Sequence, residues 1–208
     1  MKKLVLTALL LGACLTGLNA SADGDAAAGK SKAAACGACH GMDGNSASGQ
    51  FPKLAGQNAS YIVEQLSDFK SGKRANPIMA PMAKGLSDQD IQDVAAYFAS
   101  QTRQTGEADP GLVKQGESLY HSGNKDENVP ACAACHSPDG AGNFLMKVPA
   151  LSGQHASYVV AQLQAYASGS RTTDPNKMME TIASRLTPAE MRAVASYIEG
   201  LHAGSLQP

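Results

Sequence analysis

Cys36-Gly37-Ala38-Cys39-His40 returns as Cys132-Ala133-Ala134-Cys135-His136, 96 positions further along the chain. The repetition extends outward from this pentapeptide. Phe51-Pro52-Lys53-Leu54-Ala55-Gly56-Gln57 recurs as Val148-Pro149-Ala150-Leu151-Ser152-Gly153-Gln154 at an offset of 97. Tyr61, Gln65-Leu66, Gly72 and Arg74 return at the same offset as Tyr158, Gln162-Leu163, Gly169 and Arg171. Met79, Leu86 and Tyr97 return as Met179, Leu186 and Tyr197 at an offset of 100. A period this long marks duplication of a whole domain rather than a solenoid of short repeats. The expected organisation is a leader over 1–20, an N-terminal domain over 21–103 and a C-terminal domain over 104–208.

Both copies read as helical, so the expected fold class is all-α with two tandem domains. A first helix runs from near Asp25 into the Cys36 motif. In the second copy Asp109-Pro110 looks like an N-cap with a first-turn proline, opening a helix to about Tyr120. Ser60 to Phe69 and Ser157 to Ala167 carry apolar residues at helical spacing, and Gly72 and Gly169 stand where helices stop. Ser87-Asp88-Gln89-Asp90 and Thr187-Pro188-Ala189-Glu190 open the last helix of each copy with a capping-box pattern. No segment reads as a strand. The polar stretch from Gln101 to Asp109 is the expected linker.

Composition adds a constraint. The 208 residues include no Trp and only ten Phe and Tyr, against 21 Gly. Two units this small and this poor in large side chains bury a thin core. Net charge is −1, and neither half is basic, which excludes a phosphate-tracking surface and makes nucleic acid an unsuitable partner. Lys2-Lys3 followed by the apolar run Leu4 to Leu11 reads as a secretory signal, too short to span a bilayer. Cleavage falls after Ala20 or Ala22. Leu11-Gly12-Ala13-Cys14 also fits a lipoprotein site with Cys14 as the lipidated residue, and the two readings predict different anchoring.

Cys-x-x-Cys-His is the attachment signature of c-type haem. Two thiols three residues apart reach the two vinyl groups of one porphyrin, and the following His lies beneath the iron. Cys36, Cys39, Cys132 and Cys135 are therefore the expected attachment points of two covalent haem c groups, with His40 and His136 as axial ligands. A disulfide pair, a redox dithiol or a zinc site would leave the adjacent His unexplained in both copies. A buried porphyrin also supplies the apolar area that the composition lacks.

A Met as sixth ligand closes the iron and raises its potential. Met42, Met79, Met82, Met146, Met178 and Met179 are the candidates. Counted back from Leu86 and Leu186, only Met79 and Met179 occupy one position in both copies. Met82, Met146, Met178 and Met191 read as core filler. His121, His155 and His202 lack counterparts and read as exposed or locally bonded. The second ring nitrogen of an axial His needs a fixed acceptor. Pro52 and Pro149 either supply that carbonyl or only stiffen their loops.

These motifs, in this order and duplication, resemble the cytochrome c4 family of two-haem bacterial cytochromes. The resemblance rests on both Cys-x-x-Cys-His motifs, Phe51 to Gln57, Leu86 to Asp90, Ala95-Ala96-Tyr97-Phe98, Gly153-Gln154-His155 and the two Met positions. It implies two cytochrome c folds packed with their haem propionate edges facing. It places axial Met at Met79 and Met179, and the loop carbonyl of Pro52 and Pro149 on the axial His. It also implies a periplasmic carrier, often associated with the membrane, between a redox donor and a haem–copper oxidase. The alternative is a two-haem enzyme, such as a peroxidase or a thiosulfate-oxidising cytochrome, which needs an iron with an open position. The matched Met favours the carrier. Differences such as Lys53 against Ala150 and Phe51 against Val148 predict unequal potentials.

Overall fold

A computed structural model describes residues 24–204. The leader, Cys14 and both candidate cleavage sites lie outside the described residues. Ten α-helices form among the described residues, five in each half. In the first half these are α1 (Ala26–Lys32), α2 (Gly37–His40), α3 (Ala59–Ser71), α4 (Met79–Lys84) and α5 (Asp88–Ala99). In the second they are α6 (Val113–Ser122), α7 (Ala133–His136), α8 (Ala156–Ala167), α9 (Met178–Ala183) and α10 (Pro188–Gly200). Pairing of the strand type among the described residues is limited to isolated bridges at Asn124–Val129 and Asn143–Val148.

The last helix organises each half. Ile91, Val94, Ala95 and Phe98 are buried on α5, and Met191, Val194, Ala195 and Ile198 are buried on α10. Both sets follow the i, i+3, i+4, i+7 spacing of one apolar stripe. The capping boxes form as expected: the Ser87 hydroxyl accepts from the Asp90 amide, and the Thr187 hydroxyl from the Glu190 amide. The first helix of each half crosses this last helix, α1 on α5 and α6 on α10. The crossings are close because a glycine sits at each. A Cβ on Gly29 would meet the Asp93 carbonyl oxygen at 1.9 Å, and one on Gly116 the Ala193 carbonyl oxygen at 2.2 Å.

The third helix of each half packs on the same last helix from another side. Ile62, Leu66 and Phe69 of α3 join one core, and Val159 and Leu163 of α8 join the other. Each such side chain, once buried, contributes ~1.5–3 kcal/mol. Gly72 ends α3 in the left-handed region at φ 78°, as a helix-stopping glycine should.

Two expectations need correction. Asp109-Pro110 does not cap a helix; α6 starts only at Val113. The Asp109 carboxylate accepts from the Gly111 amide instead, and the Asp109 amide donates to Ser196 Oγ. That closes an Asx-type turn and pins it to α10, so the helix begins after it. Met82, Met146 and Met178 are exposed at 42%, 63% and 47%, so only Met191 is core filler.

Candidate haem sites and the interface between the halves

Each Cys-x-x-Cys-His forms one helical turn. The His40 amide donates to the Cys36 carbonyl at 3.0 Å, and the His136 amide to the Cys132 carbonyl at 2.9 Å. The turn puts both thiols and the imidazole of a motif on neighbouring positions of one short helix. All four cysteines are half-buried and none is in a disulfide. Burial raises the Cys36 thiol and pushes Cys132 up to about 11, as expected of thiols facing apolar surroundings rather than of reactive thiolates.

The two histidines are buried and held alike. His40 Nδ1 donates to the Pro52 carbonyl at 2.9 Å, and His136 Nδ1 to the Pro149 carbonyl at 3.0 Å. Burial lowers the pKa of both, partly offset by this bond. With Nδ1 committed as a donor, Nε2 is the nitrogen left to bind a metal. Phe51 meets the His40 ring edge-on with centroids 6.1 Å apart; its counterpart Val148 offers no ring, so the two imidazoles differ in their surroundings.

Met79 opens α4 and packs against the same core as Cys36; Met179 stands in the first turn of α9 and packs against the same core as Cys132. Their amides are anchored, Met79 on Asn76 Oδ1 at 2.9 Å and Met179 on the Asp174 carboxylate. The short helices α4 and α9 were not legible beforehand, because six residues show too little periodicity.

The halves meet through a polar interface built on a pseudo-twofold axis, in which residue i touches j while j's counterpart touches i's. Gln57 grips Ala150, with the Ala150 amide donating to Gln57 Oε1 at 2.7 Å and Gln57 Nε2 donating to the Ala150 carbonyl at 3.0 Å. Gln154 grips Lys53 in the same way, at 2.8 and 2.9 Å. Arg74 donates to Gln65 and to Gln162 across the axis; Arg171 donates to Gln162 and to Gln65. The linker residue Arg103 is inserted between the halves. It donates to the carbonyls of Ala55, Ala150 and Ser152, and burial lowers its pKa to about 10. His155, expected to be local, also crosses, donating from Nε2 to the Ser46 carbonyl at 2.8 Å.

The residues fit two haem c groups. In each half one thiol of the motif and one thioether pack against the same core, Cys36 with Met79 and Cys132 with Met179, and the buried imidazole of the same motif keeps its Nε2 free of any protein partner among the described residues. In addition Arg171, only 6% exposed, makes no ion pair with a carboxylate among the described residues, and its Nε has no partner. A buried guanidinium in that condition calls for an anion, and haem brings its propionates.

The fold and these paired sites define a c-type cytochrome carrying its domain twice. A family model described as Cytochrome c matches residues 26–102 and again 113–202. Cytochrome c4 of Pseudomonas aeruginosa is 53% identical over 95% of this chain and 98% of its own, and that of Azotobacter vinelandii is 49% identical over 95% and 98%. The crystal structure of reduced recombinant cytochrome c4 from Pseudomonas stutzeri superposes with a TM-score of 0.84 at 48% identity, covering 86% of this chain and all of that one. The chain belongs to the cytochrome c4 family. It is a two-haem electron-transfer protein and not an enzyme, as the resemblance implied.

Proposed function

We propose that this protein is a periplasmic carrier that takes electrons from one redox protein and hands them on toward a membrane haem–copper oxidase. Cys36 and Cys39 would hold one haem and Cys132 and Cys135 the other, with His40 and Met79, and His136 and Met179, as axial ligands. Haem c, when bound, supplies a one-electron ferric–ferrous couple at each site. The observation that carries the reading is the repeated bond from His Nδ1 to a proline carbonyl. It fixes the ring and leaves the same nitrogen available in both halves. Pro52 and Pro149 thus act as supports of the axial histidines. Met79 and Met179 would be the second side chain to hold each iron, which suits a carrier and would leave no place there for substrate. Residues 21–103 and 104–208 form the two domains, a division supported by their separate cores.

Export is supported by the charged and apolar start of the sequence. No helix among the described residues is long and apolar enough to cross a membrane; lipidation at Cys14 is the route to the membrane that the alternative reading of the leader offers. The oxidase as acceptor is supported by the family resemblance. The test is the spectrum of the dithionite-reduced holoprotein before and after carbon monoxide, with haem quantified per chain. Two haems with an unchanged spectrum are expected. A carbon monoxide shift would show an open iron and remove the Met assignment at that site. Oxygen uptake by oxidase-containing membranes supplied with the reduced protein tests the acceptor.

A further inference from the structure

The Pro52 carbonyl and the Lys53 amide belong to one peptide group, and the Pro149 carbonyl and the Ala150 amide to another. Each group is bonded at both ends. At its oxygen it accepts from the histidine of its own half, His40 at 2.9 Å or His136 at 3.0 Å. At its nitrogen it donates to a glutamine of the opposite half, Lys53 to Gln154 Oε1 at 2.8 Å and Ala150 to Gln57 Oε1 at 2.7 Å. Both glutamines are buried, Gln57 6% and Gln154 4% exposed. Each is locked in orientation because its Nε2 donates to the carbonyl of the same gripped residue. The amide oxygen and nitrogen are therefore assigned by their partners rather than interchangeable.

Hydrogen bonds in series polarise one another, and do so more strongly away from water. An acceptor at the peptide N–H shifts electron density onto the carbonyl. A more electron-rich carbonyl draws more strongly on the imidazole Nδ1–H, and the ring becomes a stronger donor through Nε2. We propose that Gln57 and Gln154 are crossed positioning residues: Gln57 of the first half tunes His136, and Gln154 of the second half tunes His40. The proposal rests on the reading of these histidines as iron ligands. It makes the docking of the two halves part of what sets each site, since neither glutamine serves its own histidine.

The test is to measure the potential of each haem in holoprotein carrying Gln57→Leu or Gln154→Leu, with haems assigned to halves by paramagnetic NMR. Gln57→Leu is expected to raise the potential of the C-terminal haem, to shift the His136 ring N–H resonance, and to leave the N-terminal haem in place. Gln154→Leu is expected to do the mirror image. Gln57→Glu, which keeps an accepting oxygen, should bring the C-terminal potential back to or below the starting value. Ser60→Ala removes a different bond across the interface, from Ser60 Oγ to the Phe144 carbonyl, and should move neither haem. Equal shifts in both haems, a shift confined to the glutamine's own half, or no shift would overturn the crossed arrangement. Wild-type spectra without hyperfine-shifted histidine ring signals would remove the ligand assignment, and the proposal with it. If Gln57→Leu does not fold, Gln57→Glu and Gln154→Leu still give the crossed comparison.

Discussion

Arg171 donates to Gln65 Oε1 at 2.9 Å across the pseudo-twofold axis, and the same guanidinium donates to Tyr61 Oη at 3.0 Å. It also lies 4.5 Å from the centroid of the Tyr166 ring, as Arg74 lies 4.6 Å from that of Phe69. Each arginine thus lies on a ring of its own half and bonds to side chains of the other. Arg171→Met would strip charged hydrogen bonds from Gln65, Tyr61 and Gln162, leaving the two glutamines with Arg74 as their remaining charged donor. A loss of about 1.5–3 kcal/mol is expected, read from the urea midpoint of the holoprotein. Arg171→Lys should recover only part of it, since an ammonium lacks the planar fork that serves several partners at once. A Lys variant as stable as wild type would show that charge alone matters there.

The assignment of Met79 over Met82 separates cleanly in solution. Met79 packs against the core that receives Cys36, whereas Met82 is 42% exposed. Met79→Ala should let carbon monoxide bind one haem of the two in the reduced protein, giving half the change of a fully open form. Met82→Ala should bind none. The same contrast is expected between Met179→Ala and Met178→Ala. Carbon monoxide binding in the Met82 or Met178 variant alone would reverse the ligand choice.

The capping boxes give a pH dependence with a definite sign. The Thr187 backbone amide, with help from Asn124 and the Thr187 hydroxyl, holds the Glu190 carboxyl below its ordinary range. A carboxylate depressed in the folded state adds stability above its unfolded value, near 4.5, and loses it as pH falls through the folded value. Thr187→Ala should cost about 1 kcal/mol at neutral pH. The gap in melting temperature between wild type and Glu190→Ala should be widest at neutral pH and narrow in acid, where both lack the charge. A gap that widens in acid would contradict the assignment.

Much of this was legible in the sequence because it depends on near neighbours. The haem motifs, the paired methionines, the apolar stripes and the capping boxes are all patterns within a dozen or so residues. The pairing of His40 with Pro52 and of His136 with Pro149 was within reach because the duplication kept both loops within one residue of the same spacing, 12 and 13 residues. The interface was not legible. Gln57, Gln154, Gln65, Gln162, Arg74 and Arg171 stood out as matched pairs, but a residue repeated in both halves reads as serving its own half. Only the pseudo-twofold axis gives each of them a partner in the other copy. His155 looks local for a related reason: its counterpart, Asn58, is a different residue type, although Asn58 also crosses, its Nδ2 donating to the Val148 carbonyl at 2.7 Å.

The glycines at the helix crossings were also hidden, since a glycine inside a helix reads only as a weak helix former. Gly29 and Gly116 let α1 and α6 lie directly on the last helix of each half. An added methyl at Gly29 would meet the Asp93 carbonyl oxygen at 1.9 Å and Tyr97 Cβ at 2.9 Å; at Gly116 it would meet Ala193 O at 2.2 Å and Tyr197 Cβ at 2.7 Å. The first obstacle in each case is backbone, which cannot rotate aside, so the helices must part. Gly29→Ala and Gly116→Ala should each destabilise the holoprotein by about 1–3 kcal/mol, despite the better helix propensity of Ala. Gly72 separates this effect from simple loss of a glycine. Nothing lies within 4 Å of its would-be Cβ, but its φ is +78°, so Gly72→Ala costs backbone strain alone. The crossing variants should also change the near-ultraviolet circular dichroism of Tyr97 or Tyr197, whose Cβ atoms the new methyl would press, whereas Gly72→Ala should leave it unaltered. Stability and spectrum unchanged in Gly29→Ala would mean that α1 can shift along α5 freely and that close contact there is incidental.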